Sequence, residues 1–562
     1  MVNTLLTSLD TALARSYYAA GHWRSDTIYD LVRANAELNP GKIAILDRHR
    51  AITYAQIVEA ADRLAADLDS LHLRQGARVA VWLPSRAETV VALLACSRQG
   101  YVCCPSLHRD HTVMEIRDLL VRQSASALIY ERGYGANADR VDMLEQAKSV
   151  DSLRKVYDLA PNGAEPGLFP DVPAAAATPV RSDPEGIVYL AFTSGTTGVP
   201  KGVMHSDNTL LANARAISQD WSLLSESVIY SMSPLSHNLG FGASIMTLIR
   251  GGTFVLHDLP RGSSLIDRLI ETGSTFIFGV PTHAIDLLAE LRARGMKNLG
   301  AVKGMRVSGA AVPPSVAAGL LDHGVVPQSG FGMTEAGSHN YTLPTDDAQT
   351  ICNTSGQACA GYEVKVFDES NPEMELGPGQ AGLIAGRGAS LMLGYFNDQA
   401  ATEESFNAAG WFLTGDLGWI DERGCLHVTG RKKDIIVRGG HKIYPARIEA
   451  LLMQHLSIER AAAVPVPDER LGEKLCVTFV TRNGEALTPD DVLRHLDQLG
   501  LSKFEMPEYV AHLTTMPSTP SGKILKREII ASIEAGGITP EAVRYDAARH
   551  AGLPVAEAGA ST

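Results

Sequence analysis

Residues 189–202 read YLAFTSGTTGVPKG. An apolar run over 187–192 enters a loop that holds Thr193, Ser194, Thr196, Thr197 and the glycines Gly195, Gly198 and Gly202, with Lys201 near its end. Glycine lets successive backbone N–H groups turn toward one point, and hydroxyls with one ammonium add further donors, which is what a chain of phosphates requires. The loop departs from G-x-x-x-x-G-K-[ST], because Lys201 is followed by Gly202. The plain alternative is a Gly/Thr-rich surface turn. A six-residue T-S-G-T-T-G directly after a buried strand favours phosphate binding.

Outward from this loop, short β-rich runs alternate with longer helical patterns. RVAVWLP (78–84) precedes a helix starting near Ala87, ASALIYE (125–131) precedes another, and STFIFGVP (274–281) precedes THAIDLLAELRARG. That alternation predicts an α/β fold with largely parallel sheets. The segment 159–184, rich in Pro, Ala, Gly and Asp and without periodicity, reads as a surface connection between two α/β units. Beyond Cys352, strands punctuated by Gly and Asp (YEVKVFD, GLIAGRG, GWFLTGDLGWID) predict a small twisted antiparallel, barrel-like unit. After Arg431 an α+β pattern follows, with Thr488 in a T-x-x-D capping position before DVLRHLDQLG. The expected domains are 1–431 and a smaller 432–562, with the last residues, HAGLPVAEAGAST, expected to fray.

Composition narrows the function. The 562 residues allow several domains at roughly 150 each. Fifty Lys plus Arg against 63 Asp plus Glu give a net charge of -13, which argues against an electrostatic grip on nucleic acid or anionic lipid. Seven scattered cysteines support neither a disulfide framework nor a zinc site, and fit a reducing cytoplasm. Asp10 and Arg15 interrupt the apolar run a signal peptide would need. The uncharged run 227–249 is broken by Pro234, His237, Asn238, Gly240 and Gly242, and reads as a buried strand, a loop and a helix start, with no membrane span.

Further motifs carry chemistry. VSGAAVPP (307–314) and QSGFGMTEAG (328–337) are Gly-rich turns after apolar runs; they offer backbone groups to a base edge, and Phe331 offers a flat face. Glu335 suits a hard cation that also carries phosphate oxygens. Asp416, in GWFLTGDLGWID, suits a vicinal diol, although many such aspartates merely cap their own turn. Lys523 follows a Pro/Ser/Gly loop in PSTPSGKILK, where a solvated surface charge is the plain alternative. His237, in SPLSHNLGF, taken alone reads as a satisfied core histidine.

Together, in this order and over nearly the whole chain, these motifs resemble those of the AMP-forming adenylating enzymes: acyl- and aryl-CoA synthetases, peptide-synthetase adenylation domains and luciferase-like enzymes. The resemblance implies a cytoplasmic ligase that uses ATP and Mg²⁺ to join a carboxylic acid to coenzyme A through an acyl-adenylate. Lys523, Thr334, Glu335 and His237 would be catalytic, with Glu335 on Mg²⁺. Thr193, Ser194, Gly195, Thr196, Thr197, Gly198 and Lys201 would hold phosphates; Gly309, Ala310, Phe331, Gly332 and Met333 the adenine side; Asp416 and Arg431 the ribose. The acid pocket would comprise His237, Asn238, Phe241, Ala243, Gly279, Ser308 and Gly330. Lys433 would be the hinge of a mobile C-terminal domain, and Arg438, Gly439 and Gly440 would line the CoA path, Gly440 because a side chain there would fill it.

Ala243 aligns where dihydroxybenzoate activators carry a hydroxyl-binding serine, so the expected acid is aryl, arylalkenyl or alicyclic with few hydroxyls. Fatty acids come next. Rival readings are an enzyme loading a carrier protein, a luciferase-like oxidation and a non-catalytic ATP sensor. The partners implied are a small-molecule carboxylic acid and CoA, without nucleic acid or membrane, and a second copy of the chain in a homodimer.

Overall fold

Strand Arg78–Trp82 is buried along its whole length, and so is helix Ala87–Gln99, which therefore has no polar face to place. Both belong to the interior of an α/β fold, where sheets covered on both faces have near-continuous apolar strands. In this computed structural model the described residues are 6–164, 167–173, 178–193, 200–260, 262–309, 312–519 and 523–546. They form two compact units. The first takes those up to Pro378 together with Ala385–Thr414 and Ile420–Leu426; the second takes Gly379–Ile384, Gly415–Trp419 and those from His427 onward.

The first unit holds two large sheets. One runs in the order Gln357–Ala358, Gly337–Tyr341, Val326–Met333, Gly304–Val307, Phe276–Gly279, Val228–Ser231, Thr253–Leu256, Ile43–Leu46, Ala51–Thr53. From Val326–Met333 to Ile43–Leu46 its pairs are all parallel. The other runs Lys155–Leu159, Ala125–Glu131, Arg78–Trp82, Val102–Cys104, Ile187–Thr193, Lys201–Ser206, parallel except for its last, antiparallel pair. Residues of both sheets and of helices Ile28–Leu38, Tyr54–Ser70, Ala87–Gln99, Asp207–Asp220 and Asn238–Ile249 share one core.

The segment 159–184 departs from expectation. Its flanking strands, Lys155–Leu159 and Ile187–Thr193, lie in the same sheet, so it crosses that sheet and does not join two. Leu168, Phe169 and Val172 also pack into the core. Absence of periodicity marks irregular backbone, but it carries no information about non-local strand pairing. The run 227–249 forms the expected strand Val228–Ser231, a loop and helix Asn238–Ile249. Among the described residues no helix is long and apolar enough to cross a membrane. The seven cysteines are free.

Four further strands, Tyr362–Phe367, Gly382–Gly388, Phe412–Ile420 and Leu426–Arg431, follow the large sheets. In the second unit Ile458–Asp468 pairs antiparallel with Gly472–Thr481. Alternate residues of this pair bury on opposite faces: Ala461, Ala463, Val477 and Phe479 against helices Pro445–Leu452 and Pro489–Gln498, and Ala462, Val464 and Cys476 against Ile529 of helix Lys526–Glu534. Thr488 and Asp491 form the expected capping box. The tail 550–562, expected to fray, lies outside the described residues.

Candidate active site

Parallel strands place their carboxyl ends at one edge of a sheet, and the loops that leave that edge form a crevice. Val228–Ser231, Phe276–Gly279, Gly304–Val307 and Val326–Met333 are such neighbours, in register Gly279↔Val307↔Ser329. Their ends carry the loop with His237, then Gly279, Ser308 and Gly330, so residues scattered over nearly a hundred positions meet on one sheet edge. The Ser308 N–H donates to the Gly279 carbonyl at 3.2 Å. Gly309 has φ +92°, a turn that favours glycine. Ala310 lies outside the described residues.

His237 is the N-cap of helix Asn238–Ile249, where its Nδ1 accepts from the Leu239 N–H at 3.2 Å. This capping role, which satisfies a helix-end donor, is one that sequence reasoning missed. Asn238 begins the helix, and Gly240 lets it approach the preceding loop, since a Cβ there would lie 2.3 Å from the Ser233 carbonyl oxygen. Phe241 stacks on Tyr189 at 4.6 Å, and Ala243 is 1% exposed in the same apolar core.

The phosphate-loop residues divide. Thr193 and Lys201 are cross-strand partners in the antiparallel hairpin, and Ser194, Gly195, Thr196, Thr197 and Gly198 lie outside the described residues. Gly202 is packed against Leu190, Phe192 and Phe396, and its carbonyl accepts from the Phe396 N–H. Lys201 Nζ sits 4.7 Å above the Tyr395 ring, whose hydroxyl donates to Glu335 Oε1 at 2.9 Å. Tyr395 thus joins the loop's one ammonium to the predicted metal-binding carboxylate. Nothing in its sequence spacing could have shown this.

His205 Nε2 donates to the Thr334 carbonyl at 2.8 Å, and burial pushes this imidazole down to about 4, so it is neutral and in the Nε2–H form. It fixes the backbone between Met333 and Glu335. Phe331 meets His339 edge-on at 5.2 Å. Gly332 could carry no side chain, because a Cβ would approach the Gly337 carbonyl oxygen to 2.4 Å.

The second unit gathers the remaining predicted residues into a charged cluster. Arg431 Nε pairs with Asp416 Oδ1 at 3.0 Å. Burial raises the Asp416 pKa, while Arg431 and then Lys523 act to lower it. Thr519 and Lys523 are bonded to each other twice, through Thr519 N–H to the Lys523 carbonyl at 2.8 Å and Lys523 N–H to Thr519 Oγ1 at 3.1 Å. Although the residue as a whole keeps solvent access, burial of its ammonium pushes Lys523 down to about 8, with Arg431 and Lys433 adding to this and Asp416 opposing it.

Lys433 lies in the 3-10 turn Lys432–Asp434. Gly439 and Gly440, with φ +55° and +86°, form the two-residue hairpin between Ile436–Arg438 and His441–Ile443. Their conformation calls for glycine; a Cβ at Gly439 would also lie 3.2 Å from Leu471 Cδ2, whereas the space where a Gly440 Cβ would stand is open. Arg438 is held by Glu508 and by the Phe504 carbonyl.

Comparison with known proteins agrees with this arrangement. Residues 32–396 match the AMP-binding enzyme family, and residues 447–523 match the AMP-binding enzyme C-terminal domain. The chain belongs to this family. It is 30% identical to the medium-chain fatty-acid–CoA ligase of Escherichia coli K12 over 91% of each chain, and 30% identical to a feruloyl-CoA synthase of an Amycolatopsis species over 88% of this chain and 96% of that one. Its fold is that of ATP-bound MatB from Rhodopseudomonas palustris, with TM-score 0.80 and 27% identity over 91% of this chain and 99% of the other. The protein is an AMP-forming acyl-CoA synthetase, an acid–thiol ligase that uses ATP and CoA.

Proposed function

We propose that the acid is monocyclic, being aryl, arylalkenyl or alicyclic with few hydroxyls. The observations that support this reading are that Gly279, Ser308 and Gly330 stand at one edge of the parallel sheet, and that the helix capped by His237 carries Phe241, stacked on Tyr189, and apolar Ala243. Such a wall favours a flat or cyclic apolar body and leaves a hydroxyl unpaired. A fatty acid is the second reading, supported by the Escherichia coli relative.

In the first half-reaction a carboxylate oxygen of the acid bonds to the α-phosphorus of ATP and pyrophosphate leaves. Two anions approach each other, so fixed cations matter most. Lys201 and the hydroxyls of 193–197 would steady the phosphates, and Lys523 would meet the carboxylate and α-phosphate. In the second, the CoA sulfur bonds to the acyl carbon, its proton passes to solvent and AMP leaves.

The Glu335 carboxylate fits Mg²⁺, because the neutral Tyr395 hydroxyl anchors one oxygen without cancelling its charge, and one carboxylate with phosphate oxygens and water suffices for this ion. When bound, the ion would offset phosphate charge. Residues 432–562 would turn about Lys433 between the half-reactions.

A panel of carboxylic acids assayed with and without CoA tests the reading. AMP and pyrophosphate are the expected products; ADP with orthophosphate would refute it. Enlarging the pocket wall with Ala243→Leu should reduce kcat/KM for bulky cyclic acids more than for short ones, since overpacking costs roughly 1–3 kcal/mol where a site is full. With a melting curve to confirm folding, an unchanged ranking of acids removes Ala243 from the pocket.

A further inference from the structure

Strand Gly304–Val307 carries at its centre an arginine that sequence reasoning passed over. Arg306 is fully buried. Its Nη1 donates to Gln328 Oε1 at 3.2 Å on the neighbouring strand, and its guanidinium carbon lies 5.6 Å from the centre of the Tyr341 ring. Among the described residues its Nε and Nη2 have no hydrogen-bond partner, nor has Gln328 Nε2. No carboxylate pairs with Arg306 among the described residues. Asp220, which acts through Tyr341, is engaged by the Tyr341 hydroxyl at 2.7 Å.

A buried guanidinium without an anion or a full set of acceptors is strongly disfavoured unless something else repays it. Interiors of folded proteins rarely leave such donors bare, and exceptions concentrate at sites that take a ligand. The position fits that explanation. Arg306 stands two residues before Ser308, so both point to the same side of the strand. A Cβ at Gly330 would lie 2.3 Å from Arg306 Nη1 and 2.5 Å from the Asn340 carbonyl oxygen, so glycine there lets the guanidinium pack against the backbone of the strand that carries Gly330. Gly279, Ser308 and Gly330 bound the crevice, and Arg306 lies one step deeper along the same strands.

Resting on the reading of that crevice as the acid pocket, we infer that Arg306 is a specificity-determining anchor for an oxygen acceptor on the far side of the substrate. The substrate class is a cyclic carboxylic acid that carries a second carboxylate or a ring carbonyl remote from the carboxylate to be activated. The planar fork of arginine suits either, bidentate to a carboxylate or singly to a carbonyl. Gln328 Nε2 stands beside it as a further donor. A site built to hydrogen-bond a substrate group rejects the analogue that lacks it far more strongly than an apolar pocket rejects an extra methylene.

The test uses the full-length enzyme with three acids of one shape: cyclohexanecarboxylic acid, 4-oxocyclohexanecarboxylic acid and cyclohexane-1,4-dicarboxylic acid. Acid-dependent pyrophosphate release gives kcat/KM for each. One or both acceptor-bearing acids should exceed the parent by about a hundredfold, and whichever does identifies the acceptor as carbonyl or carboxylate. Arg306→Met should reduce that ratio to near unity without harming the parent acid. It should leave the melting temperature equal or higher, because it removes an unpaired buried charge.

A merely structural Arg306 would lower the melting temperature and slow all three acids alike, which overturns the inference. Should Arg306→Met not fold, Arg306→Lys decides: loss of about tenfold in the ratio supports the anchor, and an unchanged ratio overturns it. Equal turnover of the three acids by the unaltered enzyme also overturns it, as does turnover of other acids only. Failure to release pyrophosphate with any acid would instead strike at the acid-pocket reading on which the inference rests.

Discussion

Lys523→Ala should lower acyl-adenylate formation by about a hundredfold or more, the scale of removing one transition-state donor, and should leave thioester formation from supplied acyl-AMP close to unchanged. The Lys523 backbone is bonded to Thr519, and its ammonium stands in a cluster in which Arg431 and Lys433 repel it while Asp416 attracts it. Its pKa of about 8 in this setting gives the effect a pH signature. A lysine lowered from its ordinary range is cationic below that value and neutral above it. Adenylation kcat/KM should therefore hold below about pH 8 and fall about tenfold per unit above it, since this parameter reports the free enzyme. The thioester half-reaction should lack that limb, and so should the residual activity of the alanine variant. Pyrophosphate exchange and CoA-dependent release of AMP, measured separately across pH, check all three statements. Equal loss in both half-reactions would remove Lys523 from the adenylation step.

Lys433→Pro separates the same two half-reactions by another route. On the proposed mechanism one site would not hold Lys523 on the α-phosphate and also admit the CoA thiol from the same side, so the C-terminal part would need two positions and a hinge that changes φ and ψ. Lys433 occupies a 3-10 turn, whose φ of about −60° is close to the value proline enforces. The substitution therefore retains the present backbone at 433, with a penalty falling on Lys432 before it, and denies the chain any pose that requires another φ. Whichever half-reaction uses the present turn should persist, and the other should fall by about a hundredfold, on the scale of a lost productive pose. Parallel changes in both rates would reject Lys433 as the pivot.

How far these residues were legible in the sequence depended on whether their signal was local. Period and composition marked Arg78–Trp82, Ala125–Glu131 and helix Ala87–Gln99, because burial imposes continuous apolar runs on strands and helices alike. Thr488 announced its helix through a bond to a residue three positions on. The glycine pair 439–440 was readable as special, and the positive φ of its turn is one requirement for glycine there.

Contacts between distant segments left no such trace. The path of 159–184 across one sheet depended on which strands paired, a choice made by packing over the whole unit. Tyr395 beneath Lys201 and beside Glu335, His205 on the Thr334 carbonyl, and His237 as a helix cap are set by residues brought together from separate loops. The sequence by itself determined the order of the motifs, the T-S-G-T-T-G run among them, and the alternating elements, since each is written within a few consecutive residues. Only the tertiary structure decided that Gly279, Ser308 and Gly330 share one edge with an unpaired Arg306 behind them, because parallel pairing sets side by side strands far apart along the chain, and burial gives the charge at their centre its meaning.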